Sequence, residues 1–214
     1  DTFEPTIGVT SSGTIVFTNH NGLGMGTHII RSQDQGQNWD DVGPFLTGAT
    51  GQVANSNDPY VYVDPWTDRI MKFDMHALAV MFVEWSDNEG ESWSPPFPAS
   101  GVYTPQDHQS IASVPPGPDF SGPLLHDTIY VFCINTGAQG PIGAFCDTSL
   151  DGGMTWEGQV AGWPNGVLQC AGLHGHLIGA NDGAMYRGNP SCDGPAAYRS
   201  TDGGRTWSEH TIDT

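Results

Sequence analysis

Apolar residues along this chain recur in short runs broken by Gly, Pro, Asn and Asp, and no stretch keeps the three-and-four spacing of an amphipathic helix without Gly or Pro interrupting it. The runs predict strands. Residues 5–10 and 14–19, joined by the turn Ser11-Ser12-Gly13, are followed by a third run at 27–31. The same order closes the chain, with 174–180, the turn Asn181-Asp182-Gly183, then 184–189 and 195–199. Between them lie 60–63, a turn over 64–68, 69–74 and 78–85. A further pair at 109–113 and 128–133 is separated by an insertion carrying Pro115-Pro116-Gly117-Pro118. Short strands with regular turn punctuation predict an all-β antiparallel meander. No apolar run approaches the ~18 residues a spanning helix needs, so no membrane span is expected.

Self-similarity sharpens this. Four segments share the form Ser-x-Asp-x-Gly-x-x-Trp. The first is Ser32, Asp34, Gly36 and Trp39, and the second is Ser86, Asn88, Gly90 and Trp93. The third is Ser149, Asp151, Gly153 and Trp156, and the last is Ser200, Asp202, Gly204 and Trp207. Asn88 stands where the others have Asp, a weaker version of the same turn chemistry. The Asp or Asn is expected to bond backbone N–H groups one or two residues on. The Gly supplies a positive φ, and the Trp leaves the turn as an apolar anchor to be buried. These segments resemble the Asp boxes, or BNR repeats, of sialidase-like β-propellers. The resemblance implies four-stranded antiparallel blades, each box forming the turn between third and fourth strands as scaffold. One domain over 1–214 is expected, with repeats over approximately 1–50, 51–105, 106–168 and 169–214. The sialidases it resembles have six blades, so the ring is expected to be completed by further blades elsewhere or by a partner chain, which would cover an open face.

Charge removes several functions. Six Lys plus Arg stand against 24 Asp plus Glu, a formal net charge of -18, which leaves almost nothing to displace counterions from phosphates. Nucleic acid is therefore not an expected partner. Cys133, Cys146, Cys170 and Cys192 show no CxxC spacing, and an even number favours disulfides in an oxidising compartment. With a first residue that is not Met, this suggests a mature secreted, extracellular protein. On the blade template Cys133 and Cys146 fall on adjacent strands, and Cys170 and Cys192 near one blade end, so those pairs are expected.

On the same template, Glu4, Asp58, Asp107, His108 and His174 open or precede inner strands. Asn19, His20, Asp74, His76, Asn135 and Asn189 lie near the turn from second to third strand, on the same end. Such groups commonly cap strand ends. Convergent, they would form a ligand mouth for a glycan or protein, or a cation site for which oxygen ligands favour calcium. His174-Gly175-His176 puts two imidazoles on one side of a strand, a transition-metal spacing that lacks a third ligand in sequence.

Sialidase chemistry is not expected. The resemblance implies three arginines gripping a carboxylate, the first in an Arg-Ile-Pro motif, where this chain has Phe3-Glu4-Pro5. Arg31 and Arg199 precede box serines and Arg205 lies inside a box, so only Arg69 and Arg187 are left for other work, and no triad is found. Tyr62 and Tyr130 lack the neighbouring pattern of a nucleophile. The leading expectation is a binding or interaction module. Its alternatives are a glycoside hydrolase using carboxyl pairs among Asp58, Asp74 and Asp107, and a structural subunit of an extracellular assembly.

Overall fold

Alternation shapes the first sheet: Val16 and Thr18 are buried, while Ile15, Phe17 and Asn19 are half-buried, the period of two that a pleated strand imposes. The computed structural model describes residues 5–19, 27–44, 59–101, 103–136, 143–164, 175–191 and 194–212. They form only strands and connections. Sixteen strands make four four-stranded antiparallel sheets, each a meander in sequence order. The chain divides into two compact units, Asp1–Pro98 and Ala99–Thr214.

In the first unit, β1 (Ile7–Val9), β2 (Ile15–Asn19), β3 (His28–Ser32) and β4 (Asp40–Asp41) form one sheet. The other holds β5 (Tyr60–Val63), β6 (Ile70–His76), β7 (Val80–Ser86) and β8 (Phe97–Pro98). The inner strands meet closely. A Cβ on Gly8 would collide with the Val63 side chain, and the Val61 N–H donates to Thr6 Oγ1 at 2.6 Å. Val16, Ile29, Val61 and Ile70 fill the space between the sheets, with Val42, Val63 and Trp93 around them. The outward face of the first sheet is apolar yet open: Ile7 is 65% exposed and Val9 58%.

In the second unit, β9 (Gln106–Val114), β10 (Ile129–Thr136), β11 (Gly143–Ser149) and β12 (Val160–Ala161) form one sheet. β13 (Leu177–Gly179), β14 (Met185–Ser191), β15 (Gly194–Ser200) and β16 (Ser208–Thr211) form the other. Its core holds Ala112, Val114, Ile129, Val131, Leu177, Met185, Tyr198 and Trp207 around a disulfide between Cys133 and Cys146, which face each other across β10 and β11. Cys170 and Cys192 lie outside the described residues. The insertion after β9 is tied to the last box, where Thr201 Oγ1 donates to Asp119 and Arg205 to the Ser121 carbonyl.

All four boxes adopt one turn. The serine hydroxyl accepts the N–H of the box glycine, at 2.8 Å for Gly36, Gly90 and Gly153 and 2.9 Å for Gly204. A side-chain oxygen of Asp34, Asn88, Asp151 or Asp202 accepts the N–H four residues on, at Asn38, Ser92, Thr155 and Thr206. This corrects the expected reach of one or two residues: the serine holds the near N–H, and the acid or amide closes the whole loop. Asn88 performs the same closure as the three aspartates, and its Nδ2 adds a donation to Ser92 Oγ at 2.9 Å. Two consecutive residues take positive φ in each box. The last two boxes place Gly152-Gly153 and Gly203-Gly204 there, while in the first two Gln35 and Glu89, at φ 63° and 56°, precede Gly36 and Gly90 at 84° and 88°.

The tryptophans are not uniformly buried, which corrects the expected anchor. Trp207 is 6% exposed and Trp93 and Trp156 are half-buried, but Trp39 is 43% exposed. Trp39 meets Phe17 edge-on on the open face of the first sheet, and Trp156 meets Phe132 in the same way. Trp39, Trp156 and Trp207 each fold back so that the indole N–H donates to the carbonyl of their own box glycine, at 3.1, 3.2 and 3.0 Å. Trp93 departs from this and donates instead to the Val42 carbonyl at 2.6 Å. Val42 also packs so close to Gly90 that a Cβ there would stand 2.8 Å from its side chain, so the second box is fastened to the end of the first sheet.

Candidate functional site

In the second unit, the starts of β9 and β13 bring sequence-predicted residues together. β9 and β13 are held side by side by the Leu177 N–H donating to Ser110 Oγ at 2.7 Å. Between Cys133 and Asn135 the register of β10 with β9 slips, so that Asn135 stands opposite Asp107. The extra length is taken up at His108 and Gln109, and His108 adopts φ 51°. A bulge of this kind re-aims a side chain at a strand end. It brings the His108 ring to 5.5 Å from the His176 ring, centroid to centroid, at an interplanar angle of 79°. Asp107 is exposed beside them and accepts the His108 N–H at 2.8 Å. Gly175, just before His176, is pinned by its N–H to the Gly188 carbonyl at 2.7 Å.

In the first unit, Asp74 is buried and committed. Lys72 Nζ lies 2.6 Å from Asp74 Oδ2 and 2.8 Å from Glu84 Oε2, and donates to the Pro44 carbonyl at 3.2 Å. The Thr27 N–H donates to Asp74 Oδ1 at 2.7 Å. Burial pushes the Lys72 ammonium toward losing its proton, but the two carboxylates outweigh it and hold its pKa above the ordinary value. Glu84 is raised by burial, against the pull of Lys72. His76, at the end of β6, meets Phe82 edge-on at 6.4 Å. Glu4, His20, Asp58 and His174 lie outside the described residues.

The two arginines left over by the sequence reading are both engaged, a correction to their expected freedom. Arg69 forms a two-pronged pair with Asp87 at 2.7 and 2.8 Å, over the Trp85 ring. Arg187 is buried, donates to the Gly162 carbonyl and lies 4.8 Å from the Tyr198 ring centroid; burial pulls its pKa down to about 10. Arg31 pairs with Glu91, Arg205 with Glu157, and Arg199 donates to the Tyr186 hydroxyl.

Sequence reasoning missed Lys72, Glu84 and Asp147. Lys72 and Asp74 stand two apart on β6, a signal visible as charges of opposite sign inside an apolar run. Asp147, on β11, is 1% exposed with Oδ2 unpartnered among the described residues. Burial raises it to about 7, against the Gly101 N–H and the Gln159 side chain. No group of three or more His, Cys, Asp or Glu able to hold a metal stands among the described residues, and no helix there could cross a membrane.

The BNR/Asp-box repeat family matches residues 198–209, the last box with the end of the strand leading into it. No curated protein sequence matches the chain. Among solved structures, a Hadza microbial sialidase is similar with a TM-score of 0.61 at 18% identity, covering 97% of this chain and 46% of its own. Trypanosoma rangeli sialidase gives 0.58 at 16% identity, covering 96% and 37%. An endo-arabinase from Bacteroides thetaiotaomicron gives 0.54 at 15% identity, covering 100% and 81%. The chain thus spans less than half the length of either sialidase. Four meander sheets, a shared box turn in each and these neighbours show the sialidase-like β-propeller fold, with a BNR/Asp-box repeat matched at residues 198–209.

Proposed function

We propose that this chain is the ligand-binding part of an extracellular β-propeller that takes an uncharged glycan rather than a sialic acid. The observation that carries the reading is the employment of every cation. All six Lys and Arg residues of the sequence sit in ion pairs, carbonyl bonds or ring contacts that hold the fold. Gripping a carboxylate takes guanidinium groups aimed at it, and a protein of net charge -18 repels an anionic sugar. The end carrying Asp107, His108 and His176 offers donors and acceptors suited to hydroxyl groups. Both sialidases and the endo-arabinase act on glycans by name, which supports that ligand class.

The disulfide supports an oxidising, extracellular setting. Further blades fit the exposed Ile7, Val9 and Trp39 of the first sheet, and separately Ile178 and Tyr186 of the last, as faces awaiting cover. Glycan hydrolysis, the second reading, is favoured by the endo-arabinase likeness; of its candidate carboxyls Asp74 is held by Lys72, Asp107 is exposed at the start of β9, and Asp58 lies outside the described residues.

Calorimetric titration with neutral arabino- and galacto-oligosaccharides and with sialyllactose tests this. Binding of a neutral sugar, weakened by Asp107→Asn, is expected. Turnover of a fluorogenic sialoside, or sialyllactose bound more tightly than every neutral sugar, would overturn it.

A further inference from the structure

We infer that a cavity on the outer rim of the second unit, between β12 and the last box, binds one uncharged sugar unit. The cavity is about 240 Å³. Val160 and Trp163 line it from the β9–β12 sheet, and Arg205, Thr206 and Trp207 from the last box. It is separate from the proposed mouth. β12 is the fourth strand of its sheet and Trp207 leads into β16, the fourth of the other, whereas Asp107 lies on β9, the first strand. Three inter-strand steps of ~4.8 Å put about 14 Å of sheet between the two places.

The walls are fixed before a ligand arrives. Trp207 is 6% exposed and its indole N–H is committed to the Gly204 carbonyl at 3.0 Å. Trp163 meets Phe145 edge-on, with centroids 5.2 Å apart and planes at 73°. Gly162, directly before it, donates its N–H to the Ala144 carbonyl at 2.9 Å and accepts from Arg187. A wall already ordered loses little freedom on binding.

The chemistry of the walls chooses the ligand. Arg205 is spent on Glu157 at 2.8 and 2.6 Å and on the Ser121 carbonyl at 2.8 Å, so its charge is cancelled at the border of the cavity. With a net charge of -18 around it, an anion is disfavoured. The volume falls below the ~300–1,000 Å³ of pockets for drug-sized ligands, which leaves room for a single ring. The Trp163 indole N–H donates to no described residue. The Thr206 hydroxyl donates to Asp202 at 2.6 Å and keeps its lone pairs for a donor. An apolar side chain from another protein would bury the Trp163 donor unpaired. A sugar lays its C–H face on the indoles and turns a hydroxyl to that donor. The inference rests on the glycan reading for its ligand class, but on a different place in the fold.

Arabino- and galacto-oligosaccharides are titrated into the full chain by calorimetry, with tryptophan fluorescence followed in parallel. Val160→Phe fills the cavity, and Trp163→Ala removes its aromatic wall and its donor. Each is expected to weaken one class of neutral-sugar binding at least tenfold while melting cooperatively near the wild type. Asp107→Asn is expected to leave that class intact. Sugar binding unchanged in whichever of the two rim variants folds overturns the inference. So does a cavity that takes N-acetyltryptophanamide but no sugar, the mark of a docking site for a protein side chain. Loss of all sugar binding in Asp107→Asn leaves the mouth standing and removes the rim site. Binding that survives Asp107→Asn and is lost in Val160→Phe leaves the rim site standing without the mouth, and a wild type that binds no sugar overturns both.

Discussion

Asp147 is a carboxyl group the fold holds in its neutral form. It lies on β11 at 1% exposure, and burial raises its pKa from 3.8 to about 7. The folded chain then binds this proton more tightly than the unfolded chain does. Stability from this group is fully present at pH values below about 4, falls as pH rises, and is gone once pH passes about 7. A rise of about 3 units corresponds to roughly 4 kcal/mol of differential interaction at full ionisation, an upper figure because the surroundings relax around the charge. Asp147→Asn keeps the shape, keeps an oxygen to accept the Gly101 N–H, and never ionises. Urea denaturation at pH 4.5, 6 and 8 should show the variant within about 1 kcal/mol of the wild type at the lowest pH and more stable by roughly 2–4 kcal/mol at the highest. A difference that stays flat from pH 4.5 to 8, or a variant less stable at pH 8, would refute the reasoning.

Three further outcomes follow from the same geometry. Gln35→Gly relieves an exposed residue held at φ 63° and should raise stability by up to about 1 kcal/mol, read as a higher urea midpoint; a lower midpoint speaks against strain there. Asp151→Ala removes the bonds from Thr155 and the Ser149 hydroxyl and should lower stability by about 1 kcal/mol or more, with sugar binding in calorimetry unchanged. Lys72→Met strands two buried carboxylates and should lose roughly 3–5 kcal/mol at neutral pH, with the loss shrinking as pH falls and they protonate; chemical denaturation across pH checks both.

The strands were legible because the pleat writes its period into the sequence. The expected runs 14–19 and 69–74 correspond to β2 and β6, and the Pro-rich insertion does separate β9 from β10. The box was legible as a turn because Ser, Asp and Gly each have a local task there. Its internal bonding was not, since a carboxylate reaching four residues on looks the same in sequence as one reaching two. Nor does the motif tell Trp93, which reaches out to Val42, from Trp156, which bonds back to Gly153. Of the candidate site, Asp107 and His108 lie at the start of β9, the first strand of its sheet. Their meeting with His176 goes with a bulge at His108 and Gln109 of β9, against β10, that no periodicity announces.

The buried cations show most clearly what a sequence withholds until register is known. Ile70 pairs with box residue Ser86, and Met185 with Ser200. Two positions further along each strand stand Lys72 and Arg187. In the other two sheets the matching places, two beyond Ile15 and Tyr130, hold Phe17 and Phe132, each edge-on to the tryptophan of its own box. The order is therefore Phe, Lys, Phe, Arg, and each unit contains one aromatic and one cation. Lys72 donates to the Pro44 carbonyl just beyond β4, and Arg187 to the Gly162 carbonyl just beyond β12. In both units the cation of the second sheet thus clamps the outer end of the first. The same two chain segments are also tied back to their third strands, by Gly43 to Ile29 and by Gly162 to Ala144. A charge buried for this purpose has its donors directed at carbonyls inside the wall between sheets. That is why a chain with so few cations can bury Lys72 and Arg187 as clamps within its units and still lack a guanidinium aimed at a ligand.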